Sequence, residues 1–272
     1  MAVSHPRTPS TGPSHTRVAR VISKVPEITI FFWVIKILAT TVGETAADFL
    51  NETLKLGLTN TTYVMTALLI VALVCQFRAP RYVPGVYWST VVIISVVGTL
   101  ITDKLVDDLG VALQTTTIAF SIALAVTFAV WYASEKTLSI HSVYTAKREA
   151  FYWAAILFTF ALGTASGDYL AERLNLGYGR SALLFAALIG VVATAWKYFR
   201  LNPVLAFWAA YILTRPLGAS LGDEMSQKRA DGGIGLGTVG TTFLFLGTIL
   251  AVVVYLSITR KDQVVLEEPV AA

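Results

Sequence analysis

Five polar residues recur at every fourth position in the first long apolar segment of the chain: Lys36, Thr40, Glu44, Asp48 and Glu52. Residues four apart lie on one face of an α-helix, so these side chains would form a single polar stripe. Ionisable groups at membrane depth are costly, and they normally face a bundle interior or a wet cavity. We therefore expect the stripe to line a transport pathway for an ion or a proton.

A second polar stripe lies in the seventh apolar segment, at Tyr211, Arg215 and Asp223. Arg215 immediately precedes Pro216, and a proline removes one backbone donor and crowds the preceding helical turn. The sequence therefore predicts either a broken helix with a charge at mid-depth or an ordinary kink. Arg215 is a candidate counter-charge for Glu44. We expect Tyr211 and Arg215 to belong to the same pathway as the first stripe.

Both stripes lie in segments that carry the same motif. In this motif a Trp is followed ten residues later by Gly and fifteen residues later by Asp, and it occurs four times without a gap. Its members are Trp33, Gly43 and Asp48; Trp88, Gly98 and Asp103; Trp153, Gly163 and Asp168; and Trp208, Gly218 and Asp223. The first and third copies are 120 residues apart, as are the second and fourth. Duplication of a two-helix unit, followed by duplication of the pair, explains this spacing and predicts four parallel repeats.

The composition places these repeats in a membrane. Of the 272 residues, 55% are hydrophobic and only 14% are charged, whereas soluble chains carry about 25% charged residues. Several apolar runs reach the ~20 residues that a helix needs to span a bilayer. We expect an all-α, polytopic membrane protein with eight transmembrane helices. The predicted organisation is a disordered cytoplasmic tail (1–24), a first half (25–140), a second half (141–260) and a C-terminal tail (261–272).

Carboxylates gather near one end of the predicted helices, and we group them as an outer acidic site: Asp103, Asp168, Asp223, Glu52, Asp107 and Glu172. They could mark helix ends that reach water, pair locally with Lys104, Arg173 or Lys228, or form a ring that attracts cations. Oxygen ligands suit hard cations such as Mg²⁺, Ca²⁺ and Mn²⁺. Glu44, Asp48 and Asp168 are the predicted metal ligands, and we expect no cofactor other than a transported cation.

The remaining motif residues suit helix packing. Gly43, Gly98, Gly163 and Gly218 would allow helices to approach closely. The four motif tryptophans are expected to serve as packing or interfacial anchors, with an aromatic cage for a cation as the alternative.

Lys and Arg concentrate on one side of the predicted membrane, which places both termini in the cytoplasm by the positive-inside rule.

The repeated motif resembles that of a known family. The four Trp-bearing two-helix units resemble bacterial multi-pass membrane proteins that are defined by a tandem repeat of unknown function, over essentially all of residues 27–258. This resemblance implies a bacterial inner-membrane protein, and it implies no particular chemistry.

Three functions are consistent with these residues. The first is a secondary transporter that exports a hard cation (Mn²⁺, Mg²⁺ or a similar divalent ion), with protons as a candidate coupling ion. The second is an intramembrane enzyme or assembly subunit that acts on a lipid or quinone, and the third is a non-catalytic scaffold. We expect no enzyme and assign no catalytic residue, because no nucleotide-binding or hydrolase motif is present. Expected partners are the lipid bilayer and a small cation, with a homo-oligomer as an option and without nucleic acid.

Overall fold

The computed structural model describes residues 19–263 and 265–268. In this part of the chain, eight helices are long and apolar enough to cross a membrane. They are α1 (Ile30–Asp48), α2 (Leu58–Arg78), α3 (Pro84–Asp103), α4 (Leu113–Glu135), α5 (Ala146–Asp168), α6 (Tyr178–Phe199), α7 (Pro203–Ser226) and α8 (Gly237–Thr259). The predicted fold class, an eight-helix membrane protein of four repeats, is confirmed.

Local sequence signals explain where several of these helices begin. The Thr29 side chain accepts a hydrogen bond from the Phe32 amide, and the Asn202 side chain accepts bonds from the two amides at the start of α7. Such caps satisfy donors that have no partner within the helix. Pro84 and Pro203 occupy first helical positions, where the missing N–H costs nothing. Helices α1, α3 and α7 therefore begin at defined residues, which fixes the depth of the motif in each.

The eight helices form two concentric layers. The odd-numbered helices form an inner ring in which α1 packs against α3, α3 against α5, α5 against α7, and α7 against α1. Each even-numbered helix packs against the odd helix of the next repeat, and α8 closes the circle on α1. In the most apolar stretch of each helix, 61–67% of the residues are buried in the inner layer and 11–28% in the outer layer. The outer layer thus presents its apolar side chains to lipid.

We call the end of the bundle that carries the four motif aspartates the acidic end. Here α1, α3 and α5 each continue into one π-helical turn directly after the aspartate, at Phe49–Thr53, Lys104–Asp108 and Tyr169–Arg173. In contrast, α7 remains α-helical up to Ser226. Isolated π turns occur frequently at functional sites, because they change the direction of side chains within a helix.

We call the opposite end, which holds the described terminal segments, the tail end. Strands β1 (Ala19–Ile22) and β2 (Val265–Glu268) pair there in an antiparallel manner. The sequence predicts a disordered tail over residues 1–24, so the structure differs from that expectation at β1. The two strands contain several β-branched or aliphatic residues, which favour strand pairing. The predicted tail residues 1–18, 264 and 269–272 lie outside the described residues.

Helix α7 is continuous from Pro203 to Ser226, so it is not broken at Pro216. Neighbouring helices support the chain at this point. A Cβ atom on Gly163 of α5 would come within 3.1 Å of the proline Cδ, and one on Gly167 within 3.6 Å of its Cα. Close packing against α5 therefore accommodates the proline within an uninterrupted helix.

Candidate functional site

The motif glycines bring the four inner helices together around one axis. A Cβ atom on Gly43 would overlap Ser95, and one on Gly98 would overlap Phe160. The same holds for Gly163 with Arg215 and for Gly218 with Thr40. The four contacted residues hold the same position in the repeat, three residues before the glycine. The repeats therefore pack in a closed ring with approximate four-fold symmetry.

Equivalent residues of the four repeats form layers along this axis. Moving from the tail end, the layers are Lys36, Val91, Ile156 and Tyr211; Thr40, Ser95, Phe160 and Arg215; Glu44, Thr99, Thr164 and Ala219; and the four motif aspartates. All twelve residues of the first three layers are buried. Each of these layers holds one charged residue beside three uncharged ones. At each of these three positions, three of the four repeats therefore hold an uncharged residue.

The Arg215 guanidinium occupies the centre of the ring and is completely buried. Its Nη2 donates hydrogen bonds to Glu44 Oε2 at 3.1 Å, to Thr164 Oγ1 at 2.7 Å and to Thr99 Oγ1. Its Nη1 donates to the Thr40 carbonyl oxygen at 2.9 Å. All four repeats therefore meet at this side chain. A buried charge requires such partners, because desolvation of an unpaired ion costs several kcal/mol.

A cavity of about 170 Å³ begins on the acidic side of Arg215. The described residues that line it include six carboxylates and no lysine or arginine: Glu44, Asp48, Asp103, Asp107, Asp168 and Asp223. Polar lining is also contributed by Asn51, Thr102, Tyr178 and Gln227. Among the lining carboxylates, Glu44, Asp168 and Asp223 each offer one oxygen, and these oxygens lie within 4.8 Å of one another. We call this space the acidic cavity and these three residues the carboxylate triad.

The triad differs from the predicted metal ligands at one residue. Asp48 lines the cavity, but Asp223 takes the place predicted for it beside Glu44 and Asp168. Helix α7 approaches α1 closely at Gly222, where a Cβ atom would lie 3.3 Å from the Glu44 Cβ. This approach brings Asp223, the next residue, towards Glu44. The sequence spacing alone does not reveal such a contact between helices.

The other predicted outer acidic residues divide into two groups. Asp103 and Asp107 line the cavity, Asp107 at its exposed rim. The side chains of Glu52 and Glu172 lie outside the described part of the structure. Lys104, a candidate partner for the carboxylates, forms an ion pair with Asp108 and a hydrogen bond with Thr59.

Three predicted pathway residues lie deeper than the cavity. The Thr40 hydroxyl bonds to the carbonyl oxygen of Ile37 at 2.5 Å within its own helix. The Lys36 amino group lies 3.9 Å from the centre of the Phe160 ring and 4.2 Å from that of Tyr211. Lys36, Thr40 and Tyr211 are not among the described residues that line the acidic cavity, and the Arg215 network separates Lys36 and Tyr211 from it.

Aromatic rings close the axis at the tail end. The residue before each motif tryptophan is aromatic, and it packs against the tryptophan of the next repeat. The pairs, with ring centroids 5.5–6.2 Å apart, are Phe32–Trp88, Tyr87–Trp153, Tyr152–Trp208 and Phe207–Trp33. The hydroxyls of Tyr87 and Tyr152 are hydrogen-bonded to each other within this layer. The motif tryptophans thus form part of a packed layer.

A buried ion pair ties the N-terminal segment to the tail end. The Lys24 amino group bonds to Glu149 Oε2 at 2.7 Å and to the Phe77 carbonyl oxygen at 3.0 Å. The Gln76 amide donates to the other Glu149 oxygen at 3.1 Å. The sequence does not predict this network, because a Lys just before an apolar segment is typical of a topology signal. A glutamate in the first turn of a predicted apolar helix is the signal that could have revealed it.

Asp262 completes the closure of the tail end. The Tyr82 hydroxyl donates to its Oδ2 at 2.5 Å, and the Trp88 indole donates to the Tyr82 oxygen at 3.1 Å. Burial raises the pKa of Asp262 above its ordinary value. Burial, followed by the bond to Asp262, raises the pKa of Tyr82 as well. Burial therefore makes the charged form of each group less favourable than it is in water.

Comparison with known sequences agrees with the internal repeats. Four segments, 31–82, 86–137, 151–202 and 206–262, match the family described as Repeat of Unknown Function (DUF347). Each segment overlaps one odd helix and the even helix that follows it. No curated protein and no solved structure matches the chain. The chain therefore belongs to the DUF347 repeat family and carries four tandem copies of the repeat.

Proposed function

We propose that this membrane protein is a secondary transporter that exports a hard divalent cation, such as Mn²⁺ or Mg²⁺. The acidic cavity would serve as its outer binding site. The observation that carries the proposal is the convergence of Glu44, Asp168 and Asp223, from three different repeats, on one point of the axis. Glu44 lies one turn before the motif aspartate of its repeat, so the symmetry of the aspartates alone does not explain its place in this group.

The spacing of the triad suits a metal ion. Two ligands on opposite sides of an ion are separated by twice the metal–oxygen distance. This distance is about 2.0–2.1 Å for Mg²⁺ and about 2.3–2.6 Å for Ca²⁺, so opposite ligands lie about 4.2 Å and about 5 Å apart. The triad oxygens lie within 4.8 Å of one another, so they fit the larger ion as they stand and would move closer together around the smaller one. The cavity of about 170 Å³ also leaves room for water molecules on the ion. Small side-chain movements would complete the coordination.

The electrostatics of the cavity favour a cation for two reasons. Six carboxylates line it, and Arg215 is directed at one of them, Glu44. In addition, α1, α3 and α5 end their α-helical segments at the motif aspartates. The partial negative charge of a helix C-terminus disfavours an anion there. A bound divalent cation would relieve both kinds of repulsion.

The closed tail end supports a carrier rather than an open channel. The axis is filled by Arg215 and its partners, and then by the packed aromatic layer. Transport would require these layers to separate while the acidic cavity closes. The distribution of Lys and Arg favours a cytoplasmic location for both termini, and the family resemblance implies a bacterial inner membrane. In this orientation the acidic cavity would face outward and release the exported ion.

The proposal is tested by Mn²⁺ flux into proteoliposomes that contain a Mn²⁺-quenched dye. We expect flux from the wild type, and its loss in Glu44→Gln, Asp168→Asn and Asp223→Asn. Asp108→Asn is the matched control, because Asp108 is an exposed carboxylate near the same end that pairs with Lys104. Flux that is equal in the Asp168 and Asp108 variants, or absent from the wild type for each divalent ion tested, would refute the proposal.

A further inference from the structure

The Lys36 side chain has an unusual environment for an amino group. The residue is 1% exposed, and its Nζ has no hydrogen-bond partner among the described residues. Its Nζ lies 3.9 Å from the centroid of the Phe160 ring and 4.2 Å from that of the Tyr211 ring. Aromatic faces attract an ammonium ion, but they do not replace its hydrogen bonds with water. The ammonium form of Lys36 is therefore only weakly stabilised.

The other repeats show that the fold does not need a lysine here. The equivalent positions hold Val91, Ile156 and Tyr211, each of them buried and packed in the same layer. An apolar side chain would avoid the cost of burying an amino group. The presence of Lys36 at a position where three repeats manage without a charge points to a role outside folding.

The Lys36 side chain is buried and has Arg215 as a positively charged neighbour. On α7 it faces Arg215 and Tyr211, and on α5 it faces Phe160. The Arg215 guanidinium carbon lies 5.4 Å from the centre of the same Phe160 ring. The remaining ionisable residues of the adjacent helices α3 and α8 lie towards their ends: Tyr87, Asp103 and Tyr255. Glu44 is the buried carboxylate nearest in register, two turns away on α1.

Residues in the layers of Lys36 and Arg215 carry unpartnered polar atoms. Ser95 Oγ, Tyr211 Oη and Arg215 Nε are buried without a hydrogen-bond partner among the described residues. Buried polar groups of this kind are typically satisfied by internal water. Water molecules at these atoms would give the Lys36 amino group a route for exchanging a proton.

We infer that Lys36 is the residue that carries the coupling proton in the transport cycle. This inference rests on the proposed function. A divalent cation at the carboxylate triad adds positive charge to a region that already holds Lys36 and Arg215. The Lys36 ammonium then releases one proton to water and becomes a neutral amine. When the cation leaves, the amine takes up one proton from water on the other side. Cation and proton thereby move in opposite directions.

This coupling has a thermodynamic signature. If protonation of Lys36 weakens cation binding, cation binding must oppose protonation by the same factor. An apolar residue at position 36 would remove the coupling and leave the carboxylate triad in place. We therefore choose Lys36→Val, which installs the residue of the second repeat, and Lys36→Met as a second variant that retains the length of the side chain. Lys197→Val, at an exposed lysine of α6, is the matched control.

The experiment uses proteoliposomes that report Mn²⁺ and internal pH together. Wild type and Lys197→Val should accumulate Mn²⁺ against an imposed pH gradient and move protons in the opposite direction. In Lys36→Val and Lys36→Met, gradient-driven accumulation should fall at least about tenfold, while Mn²⁺/Mn²⁺ exchange without a gradient stays within about twofold. These results would support the inference.

Three results would overturn it. Proton-driven accumulation that persists in both Lys36 variants would show that another group carries the proton, and the proposed function would stand. Loss of Mn²⁺/Mn²⁺ exchange in folded Lys36 variants would show that Lys36 positions the cation site instead. A wild-type protein that moves no Mn²⁺ would defeat the proposed function, and with it the inference about Lys36.

Discussion

Arg215 of α7 donates a hydrogen bond to Glu44 of α1 at 3.1 Å, although the two residues are 171 positions apart in the sequence. The pair joins the first repeat to the last and closes the ring of inner helices. Thr99 and Thr164, from the second and third repeats, bind the same guanidinium nitrogen. The ion pair therefore holds the four inner helices together, and its Glu44 also lines the acidic cavity.

Removal of Arg215 should destabilise the protein strongly. Arg215→Ala leaves Glu44 buried without its cation, and breaking a buried pair in this way costs about 3–5 kcal/mol. The double variant Arg215→Ala/Glu44→Gln should recover part of this loss, because no uncompensated charge remains. The free energy of unfolding in mixed detergent micelles is measured for the wild type, the two single variants and the double variant. Strictly additive losses would mean that the two side chains do not interact.

The motif glycines should not tolerate a side chain. Gly163→Ala places a methyl group where Arg215 lies, so we expect a loss of about 1–3 kcal/mol from overpacking. Gly190→Ala in α6 is the control, because a Cβ atom there meets nothing within 4 Å. The control should be neutral or stabilising by up to ~1 kcal/mol, since alanine favours helix more than glycine. Thermal unfolding in detergent compares the two, and similar behaviour would argue against the close approach of α5 and α7.

Much of this arrangement follows from the sequence, because the motif fixes both the depth and the facing of each inner helix. Once Trp33, Gly43 and Asp48 recur at constant spacing, the aspartates must share one level of a ring. The pairing of Arg215 with Glu44 could be suggested for the same reason, since each is a charge that its equivalents lack.

Other features depend on contacts that the sequence does not encode locally. Thr99 and Thr164 resemble ordinary helix threonines, which usually bond to their own backbone, so their contact with Arg215 was not predicted. The exchange of Asp48 for Asp223 in the triad depends on how closely α7 approaches α1. The pairing of β1 with β2 joins segments at opposite ends of the chain, where no periodic pattern is present to indicate a partner.

Stability should depend on pH through Asp262. Burial raises the pKa of this folded carboxyl above the ordinary 3.8, so the neutral form stabilises the folded state. The contribution is complete below the ordinary pKa and is lost as the pH rises through the raised value, at about 1.4 kcal/mol for each unit of pKa difference. Asp262→Asn keeps an acceptor for the Tyr82 hydroxyl and should flatten the pH profile. Thermal midpoints from about pH 4 to pH 7 measure this, and parallel profiles for the two proteins would contradict it.

The proposed orientation can be tested with single cysteines. In a Cys75→Ala background, Ala112→Cys lies at the acidic end and Ala146→Cys at the tail end, and both positions are exposed. A membrane-impermeant thiol reagent applied to intact cells should label the first and spare the second, because the tail end faces the cytoplasm in our proposal. Disrupted cells should label both, which controls for reactivity. The opposite pattern in intact cells would show that the acidic end faces the cytoplasm, which would contradict the proposed orientation and export through the acidic cavity.

Direct binding of Mn²⁺ tests the cation site without requiring transport. Electron paramagnetic resonance of the purified protein measures the free ion, and the wild type should remove one Mn²⁺ per chain from solution. Asp168→Asn and Asp223→Asn should each weaken binding at least about tenfold, whereas Asp108→Asn should bind as the wild type does. Wild-type protein that leaves all Mn²⁺ free, or triad variants that bind it as tightly as Asp108→Asn, would contradict a cation site on the four-fold axis.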